Sequence, residues 1–227
     1  MSKQIKAAAV QFTIKVGDID ANVEHVREAL HRLHGEGVQL AVLPEMWSCG
    51  FAYRELNELA RRTPEVVEEM GRLSAELGMV LVGSLPEPEG DKVCNTAYVL
   101  DQGKLVGKYR KIHLFSLMNE DRAFTGGESW LLADTSLGKI GVIICYDLRF
   151  PELTRRLGGG RGRDHRRPRR MAEAAAGTLA AAPSGEGNRK PALYCCSQRL
   201  RGDGKAGLLR RQHDHRPQGR DPRRRWL

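Results

Sequence analysis

The chain has 227 residues, 41% of them hydrophobic, and its 37 Lys and Arg against 28 Asp and Glu give a formal net charge of +9. That length suits one α/β domain or two small ones, and no apolar run approaches the roughly 18 residues of a membrane span. The first residues run straight into a strand-like segment with no leader-type cleavage site, and five cysteines (Cys49, Cys94, Cys145, Cys195, Cys196) without metal spacing suit neither a disulfide framework nor a zinc site; the expectation is a cytoplasmic protein.

The charge is unevenly spread. Residues 158–227 hold 18 basic and 6 acidic residues and no Val, Ile or Phe, whereas residues 1–157 hold 19 basic and 22 acidic residues. Residues 1–157 therefore read as an ordinary, mildly acidic globular chain. Residues 158–227 read as a basic tail rich in Arg, Gly, Pro and Ala.

In chain order, residues 5–14 predict a buried strand. Asp18 or Asp20 caps a helix over about 21–33, with Val23, Val26, Leu30 and Leu33 at helical spacing, and the Gly-containing stretch 34–37 stops it. Residues 40–45 predict a second strand ending at Pro44-Glu45, since Pro44 has no N–H for a ladder. A loop over 46–51 follows. Thr63-Pro64 opens a helix that runs to Leu77 before Gly78. Residues 79–84 predict a third strand and 86–91 a turn. Residues 95–101 and 104–111 predict a hairpin around Gln102-Gly103. Residues 116–129 read as a polar loop, and 130–134 and 139–144 as two more strands. The largely β-branched run Ile140, Val142, Ile143, Ile144 suits a strand covered on both faces. Pro151 then opens a helix. Strands alternating with helices, then strands running together, predict α/β layers with mixed sheets.

Three residues at element ends carry candidate chemistry. Cys145 closes a buried strand at a strand-to-helix turn, Glu45 closes another strand, and Lys111 follows the hairpin; sites in α/β sheets form at the carboxyl ends of strands. Singly, each has a plainer reading: a small buried thiol, a solvated loop acid, a solvated base in a run with Lys108 and Arg110. Together they describe one reaction. A carboxylate with a raised pKa takes the thiol proton, the thiolate attacks an amide or nitrile carbon, and an ammonium stabilises thiolate and oxyanion.

Four stretches carry a family resemblance: Leu43-Pro-Glu-Met46, Tyr109-Arg-Lys-Ile-His-Leu-Phe115, Phe124-Thr-Gly-Gly-Glu128 and Gly141-Val-Ile-Ile-Cys-Tyr-Asp-Leu-Arg-Phe-Pro-Glu-Leu153. Over residues 5–157 the chain resembles the nitrilase, or carbon–nitrogen hydrolase, superfamily, and its 115–124 wording resembles the omega-amidase-like small-amidase branch. The resemblance implies an α-β-β-α sandwich and a cofactor-free and metal-free hydrolase acting on a small linear amide through a Cys acyl-thioester. It implies Glu45 as general base, Lys111 as cationic stabiliser, Cys145 as nucleophile and Glu120 as a second glutamate orienting the lysine. The Tyr146 N–H would complete the oxyanion site. Arg149 either binds a substrate carboxylate or pairs with a local acid, and His113 and Phe150 fall to structural or rim roles. Homo-oligomers are usual in the resembled family.

After Leu157 the resembled family would continue with further Val/Ile-rich strands and helices. The loss of every Val, Ile and Phe inside a domain points to a change of reading frame near residues 157–160, leaving the sandwich incomplete and the chain weakly active or inactive. Within the tail, 172–182 suggests a helix and 193–196 a short strand, neither restoring a core. The rival reading is a genuine Arg-rich tail that binds nucleic acid with steep salt dependence; Tyr194 and Trp226 are its only aromatics, too sparse for base stacking.

Overall fold

The computed structural model describes residues 5–158 together with the backbone of residues 179–181 and 193–197. Strand β1 (Ala7–Ala9) precedes helix α1 (Ile19–Gly35), strand β2 (Leu40–Val42) and helices α2 (Leu56–Ala60) and α3 (Thr63–Leu77). Strands β3 (Val80–Glu89), β4 (Lys92–Asp101) and β5 (Lys104–Arg110) follow. A 3₁₀ turn over Ser116–Met118 and helix α4 (Glu120–Ala123) lead to β6 (Leu131–Thr135) and β7 (Gly138–Ile144). A second 3₁₀ turn, Cys145–Arg149, passes into α5 (Pro151–Leu157), and the backbone of β8 (Leu179–Ala181) and β9 (Leu193–Ser197) completes the described elements.

Two sheets form. The first has the order β1-β2-β3-β4-β5, parallel through β3 and antiparallel from β3 to β5. The second has the order β6-β7-β9-β8. Alternation along the strands sorts the side chains into two cores. Ala41, Leu81, Leu85 and Leu100 pack with Val26, Leu30, Met70 and Leu73 of the helices. Leu40, Val42, Val80, Val82, Ala97 and Val99 pack instead with Ala133, Ile140, Val142 and Ile144 of the second sheet. The first sheet is thus buried on both faces, as parallel strands with continuous apolar runs require. The expected mixed α/β sandwich is present as a helix layer on two facing sheets.

Several local expectations hold and several shift. The Asp18 carboxylate caps α1, accepting the Ala21 N–H at 3.1 Å, and Asp20 instead pairs with Arg62. Helix α3 spans Thr63 to Leu77 and ends at Gly78 in the left-handed region (φ 59°), where glycine carries no Cβ penalty. The Gln102-Gly103 hairpin turns with φ of 49° and 79°, the two positive values a tight hairpin needs. The first strand is only three residues long, and β2 stops at Val42. The predicted loop over 116–129 contains a 3₁₀ turn and α4, and α2 was not foreseen.

The predicted turn over 86–91 is the largest shift: β3 runs on to Glu89 and the chain reverses at Gly90-Asp91. Two prolines argued against a strand there. They are tolerated because β2 is short. The carbonyls of Val82 and Ser84 point toward the β2 side, accepting from Leu43 and Trp47, so Pro86 and Pro88, in phase with them, place their missing N–H groups on an unpaired flank.

One expectation for the tail is corrected and another is extended. Leu179–Ala181 is a strand, not the end of a helix over 172–182; the rest of that span lies outside the described residues. And β7 has a partner on its second side: β9 pairs with it in parallel, Ile140 opposite Leu193 through Ile144 opposite Ser197. A short strand at 193–196 was expected, but not that it would extend this sheet. Among the described residues, no helix is long and apolar enough to cross a membrane.

One packing contact fixes where the site loop can sit. A Cβ at Gly83 would lie 2.8 Å from the Trp47 indole nitrogen and 2.9 Å from the Leu43 Cβ. Burying one extra methyl gains about 0.8 kcal/mol, but overpacking costs about 1–3 kcal/mol. Gly83→Ala is therefore expected to lower the urea midpoint by a net destabilisation of about 1–2 kcal/mol, and an unchanged midpoint would show that the Trp47 loop is not held against β3.

Candidate active site

Four residues meet where β2, β5 and β7 end. Glu45 lies three residues beyond β2, in a turn gripped by Ser84 of β3. The Ser84 hydroxyl accepts the Met46 N–H at 2.9 Å, and its carbonyl accepts the Trp47 N–H at 3.3 Å. Met46 has a φ of 51°, a left-handed conformation that a non-glycine residue holds only under external constraint. The turn aims Glu45 inward, and its side chain is buried.

Lys111 follows β5 directly. Its N–H donates to the Asn95 carbonyl at 2.9 Å, and its own carbonyl accepts from Gly127 at 2.9 Å. Only glycine fits at 127, since a Cβ there would fall 2.4 Å from the Arg110 carbonyl oxygen. The Lys111 side chain is fully buried. Its ammonium donates to Glu45 Oε1 at 2.9 Å and to both oxygens of Glu120, at 3.0 and 2.8 Å. Glu120 opens α4 after Asn119 in the left-handed region. Its Oε2 also accepts the Phe115 N–H at 2.9 Å, tying the 116–123 segment to the lysine.

Cys145 sits at the first position of the 3₁₀ turn that ends β7, half-buried and with a φ of 44°. Its thiol lies near enough to the Glu45 carboxylate to favour the charged form of that acid. The candidate triad and Glu120 are therefore one contiguous cluster, cysteine to glutamate to lysine to glutamate.

The electrostatics follow from burial. Complete desolvation pushes the Glu45 carboxyl above the usual carboxylate range, against the opposing pull of the Lys111 charge. For Lys111, desolvation acts to lower the pKa, but Glu45 and Glu120 outweigh it and hold the ammonium above the ordinary lysine value. The two directions agree: one buried cation faces two carboxylates, so the cluster has spare affinity for a proton, and Glu45 is where the thiol can supply it.

The other anticipated residues are placed less centrally. Tyr146 is half-buried, with its ring 4.8 Å from Phe115 and 5.5 Å from Phe150. Arg149 is exposed, with no ion pair to a local acid among the described residues. His113 is stacked flat on Phe150, centroids 3.5 Å apart.

Sequence reading missed three supports. The Asn95 side chain donates to Glu45 Oε1 at 2.8 Å while its Oδ1 is buried without a partner; a lone amide inside the apolar stretch 93–100 was the available signal. Ser84 looked like the end of a strand. Asp147 was seen only as the residue after Cys145-Tyr146, yet it is fully buried and bonded to both flanks of the site. Its signal was a carboxylate three residues beyond a strand that ends in an apolar run.

The carbon-nitrogen hydrolase family model matches residues 6–215, a span that continues past Leu157. An omega-amidase of Saccharomyces cerevisiae is 34% identical over 171 residues, which cover 67% of this chain and 59% of that protein. A chloroplastic omega-amidase of Arabidopsis thaliana is 32% identical over 151 residues, 60% of this chain and 41% of that protein. The crystal structure of Saccharomyces cerevisiae Nit3, a member of branch 10 of the nitrilase superfamily, superposes with a TM-score of 0.62 at 32% identity, covering 68% of this chain and 60% of that one. The chain thus spans less than two thirds of the length of these relatives.

Proposed function

The chain belongs to the carbon–nitrogen hydrolase family, and on that premise we propose that it is built to cleave a small linear amide through an acyl-thioester on Cys145. The observation that carries this reading is the buried chain of contacts from the Cys145 thiol to Glu45 to Lys111. It sets a thiol beside a base of raised proton affinity and that base against a cation.

The steps balance as follows. Glu45 takes the thiol proton as the sulfur attacks the carbonyl carbon. The tetrahedral oxyanion is held by Lys111 and the Tyr146 N–H. Lys111 spends two contacts on Glu120, and turning one hydrogen from that bidentate pair to the oxyanion leaves Glu120 still bonded. One such donor is worth about 3–4 kcal/mol in the transition state. Glu45 then gives its proton to the departing amine or ammonia. A water, deprotonated by the same carboxylate, hydrolyses the thioester and restores the thiol. Arg149, exposed two residues after Asp147, is proposed to meet a substrate carboxylate at the rim. Glu45, Lys111 and Cys145 account for every proton and charge in this scheme, and neither metal nor cofactor has a step in it.

The reading of a frame change near residues 157–160 stands beside this. It is tested by translating the gene in all three frames beyond that point; a frame restoring Val/Ile-rich strands supports it, and none doing so overturns it. The functional test is ammonia release from small linear amides, by the chain as it stands and by a frame-restored chain where the gene supplies one. Release that survives EDTA is expected, with the restored chain the more active. Release by neither chain overturns the hydrolase reading, and EDTA-sensitive release overturns the metal-free mechanism.

A further inference from the structure

Resting on that reading of Cys145, Glu45 and Lys111, we propose that Asp147 is the positioning residue that sets the spacing between the nucleophile and the ammonium. Its carboxylate is fully buried and meets four groups. Oδ2 accepts the Tyr109 hydroxyl at 2.7 Å and the Ile144 N–H at 2.9 Å. Oδ1 accepts the His113 N–H at 3.0 Å and lies 2.7 Å from His113 Nδ1.

The placement of these partners carries the argument. Tyr109 and His113 stand two residues before and two after Lys111. Ile144 stands one residue before Cys145, and Asp147 two after it. One carboxylate therefore clamps the chain on both sides of the lysine to the chain on both sides of the cysteine. Capping the 3₁₀ turn alone would need only the Ile144 contact; the other three go to the lysine segment. His113 is wedged from behind by Phe150, whose own N–H donates to the Asp147 carbonyl at 3.0 Å.

The cost of the arrangement points the same way. Taking a carboxylate fully out of water costs several kcal/mol unless its lone pairs are filled, and here each oxygen has two partners. Burial and the neighbouring Asp147 charge keep the Tyr109 hydroxyl protonated far above its ordinary range, so it remains a donor. Cys145 holds a left-handed φ of 44°, which costs about 1–2 kcal/mol for a residue with a Cβ and persists only where surrounding bonds over-determine it. A misplacement of about 1 Å at a reacting atom can cost about 10²-fold in rate.

The test is Asp147→Asn in the full chain, read by alkylation of Cys145 with iodoacetamide and followed on the Cys145 peptide by mass spectrometry. This readout needs no substrate. Circular dichroism and thermal unfolding check the fold, and Leu30→Ala, a cavity in the helix layer, serves as a destabilised control. The charged group acting on the thiol is Glu45, with Lys111 and then Glu120 bonded in line behind it. The expected result is at least a tenfold loss of native-state alkylation rate in Asp147→Asn, with the pH of half-maximal rate moved upward. Tyr109→Phe, which removes one of the four partners and keeps the rest, is expected to lose a few-fold. Leu30→Ala should lower the unfolding temperature and leave both rate and pH curve unchanged. Should Asp147→Asn fail to fold, Tyr109→Phe against Leu30→Ala decides.

Parent-like alkylation in folded Asp147→Asn, or in Tyr109→Phe where only that variant folds, overturns the proposal. So does an equal loss in Leu30→Ala. A parent whose Cys145 reacts no faster folded than in denaturant overturns instead the nucleophile reading on which the proposal rests.

Discussion

In a frame-restored, active chain, Cys145→Ser is expected to abolish amide turnover, by at least about 10⁴-fold, as loss of a nucleophile does in other covalent hydrolases, although it changes one atom and keeps the turn. The reason lies in the match between nucleophile and base. Burial raises the proton affinity of Glu45, which brings a carboxyl closer to a thiol but leaves it far below an alcohol. A serine hydroxyl at the same place would hydrogen-bond Glu45 and keep its proton. Cys145→Ala removes the acceptor of the acyl group altogether and is expected to be equally inactive. Both variants should fold, because Cys145 is only half-buried and the φ of 44° is tolerated no worse by serine or alanine than by cysteine. The check is ammonia release together with intact-mass analysis of acid-quenched reactions. An acyl adduct should form on the active parent and on neither variant. Turnover in Cys145→Ala above a hundredth of the parent rate would show that another group attacks the substrate.

The sequence made some of this site legible and hid the rest for identifiable reasons. Glu45 and Cys145 were visible because each sits at the end of an apolar run, where a strand must stop and a polar side chain must go somewhere, and Lys111 because it follows the hairpin at an element end. Glu120 was visible only through resemblance; nothing in a polar loop announces that one of its acids will be buried, and α4 is too short to leave a periodic pattern. Asn95, Ser84 and Asp147 were hidden because their partners arrive from distant parts of the chain: the turn after β2 for Ser84 and Asn95, and the lysine segment of the other sheet for Asp147. The alternation of β4 says that Asn95 shares a face with Ala97 and Val99, but not that Glu45 arrives opposite it. In the same way, Pro86 and Pro88 looked like a turn because local chemistry could not show that β2 is too short to need their N–H groups. The pairing of β9 with β7 belongs to this class too: a long-range ladder written in a stretch whose composition argues against it.

Lys111→Ala is the second large effect, and it separates charge from chemistry. The ammonium is fully buried between Glu45 and Glu120. Truncating it leaves two nearly inaccessible carboxylates without a cation, a change that costs about 3–5 kcal/mol when a buried pair is broken. It also removes an oxyanion donor, worth about 10²–10³-fold in rate, so turnover should vanish. The pH dependence gives the sign. The folded-state pKa of Lys111 is raised, so its contribution to stability is fully present below the unfolded lysine value and is lost only as pH rises through the higher folded one; at neutral pH the parent has all of it. In Lys111→Ala the stranded carboxylates gain affinity for protons in the folded state. Their penalty is relieved below the unfolded carboxyl values and grows as pH rises through the folded ones. Urea unfolding of the variant should therefore show stability falling from pH 5 to pH 8 more steeply than in the parent. A variant within about 1 kcal/mol of the parent at both values, well inside the cost of a stranded buried charge, would mean that water reaches Glu45 and Glu120. The raised proton affinity on which the thiol's activation depends would then be lost with the burial that produces it.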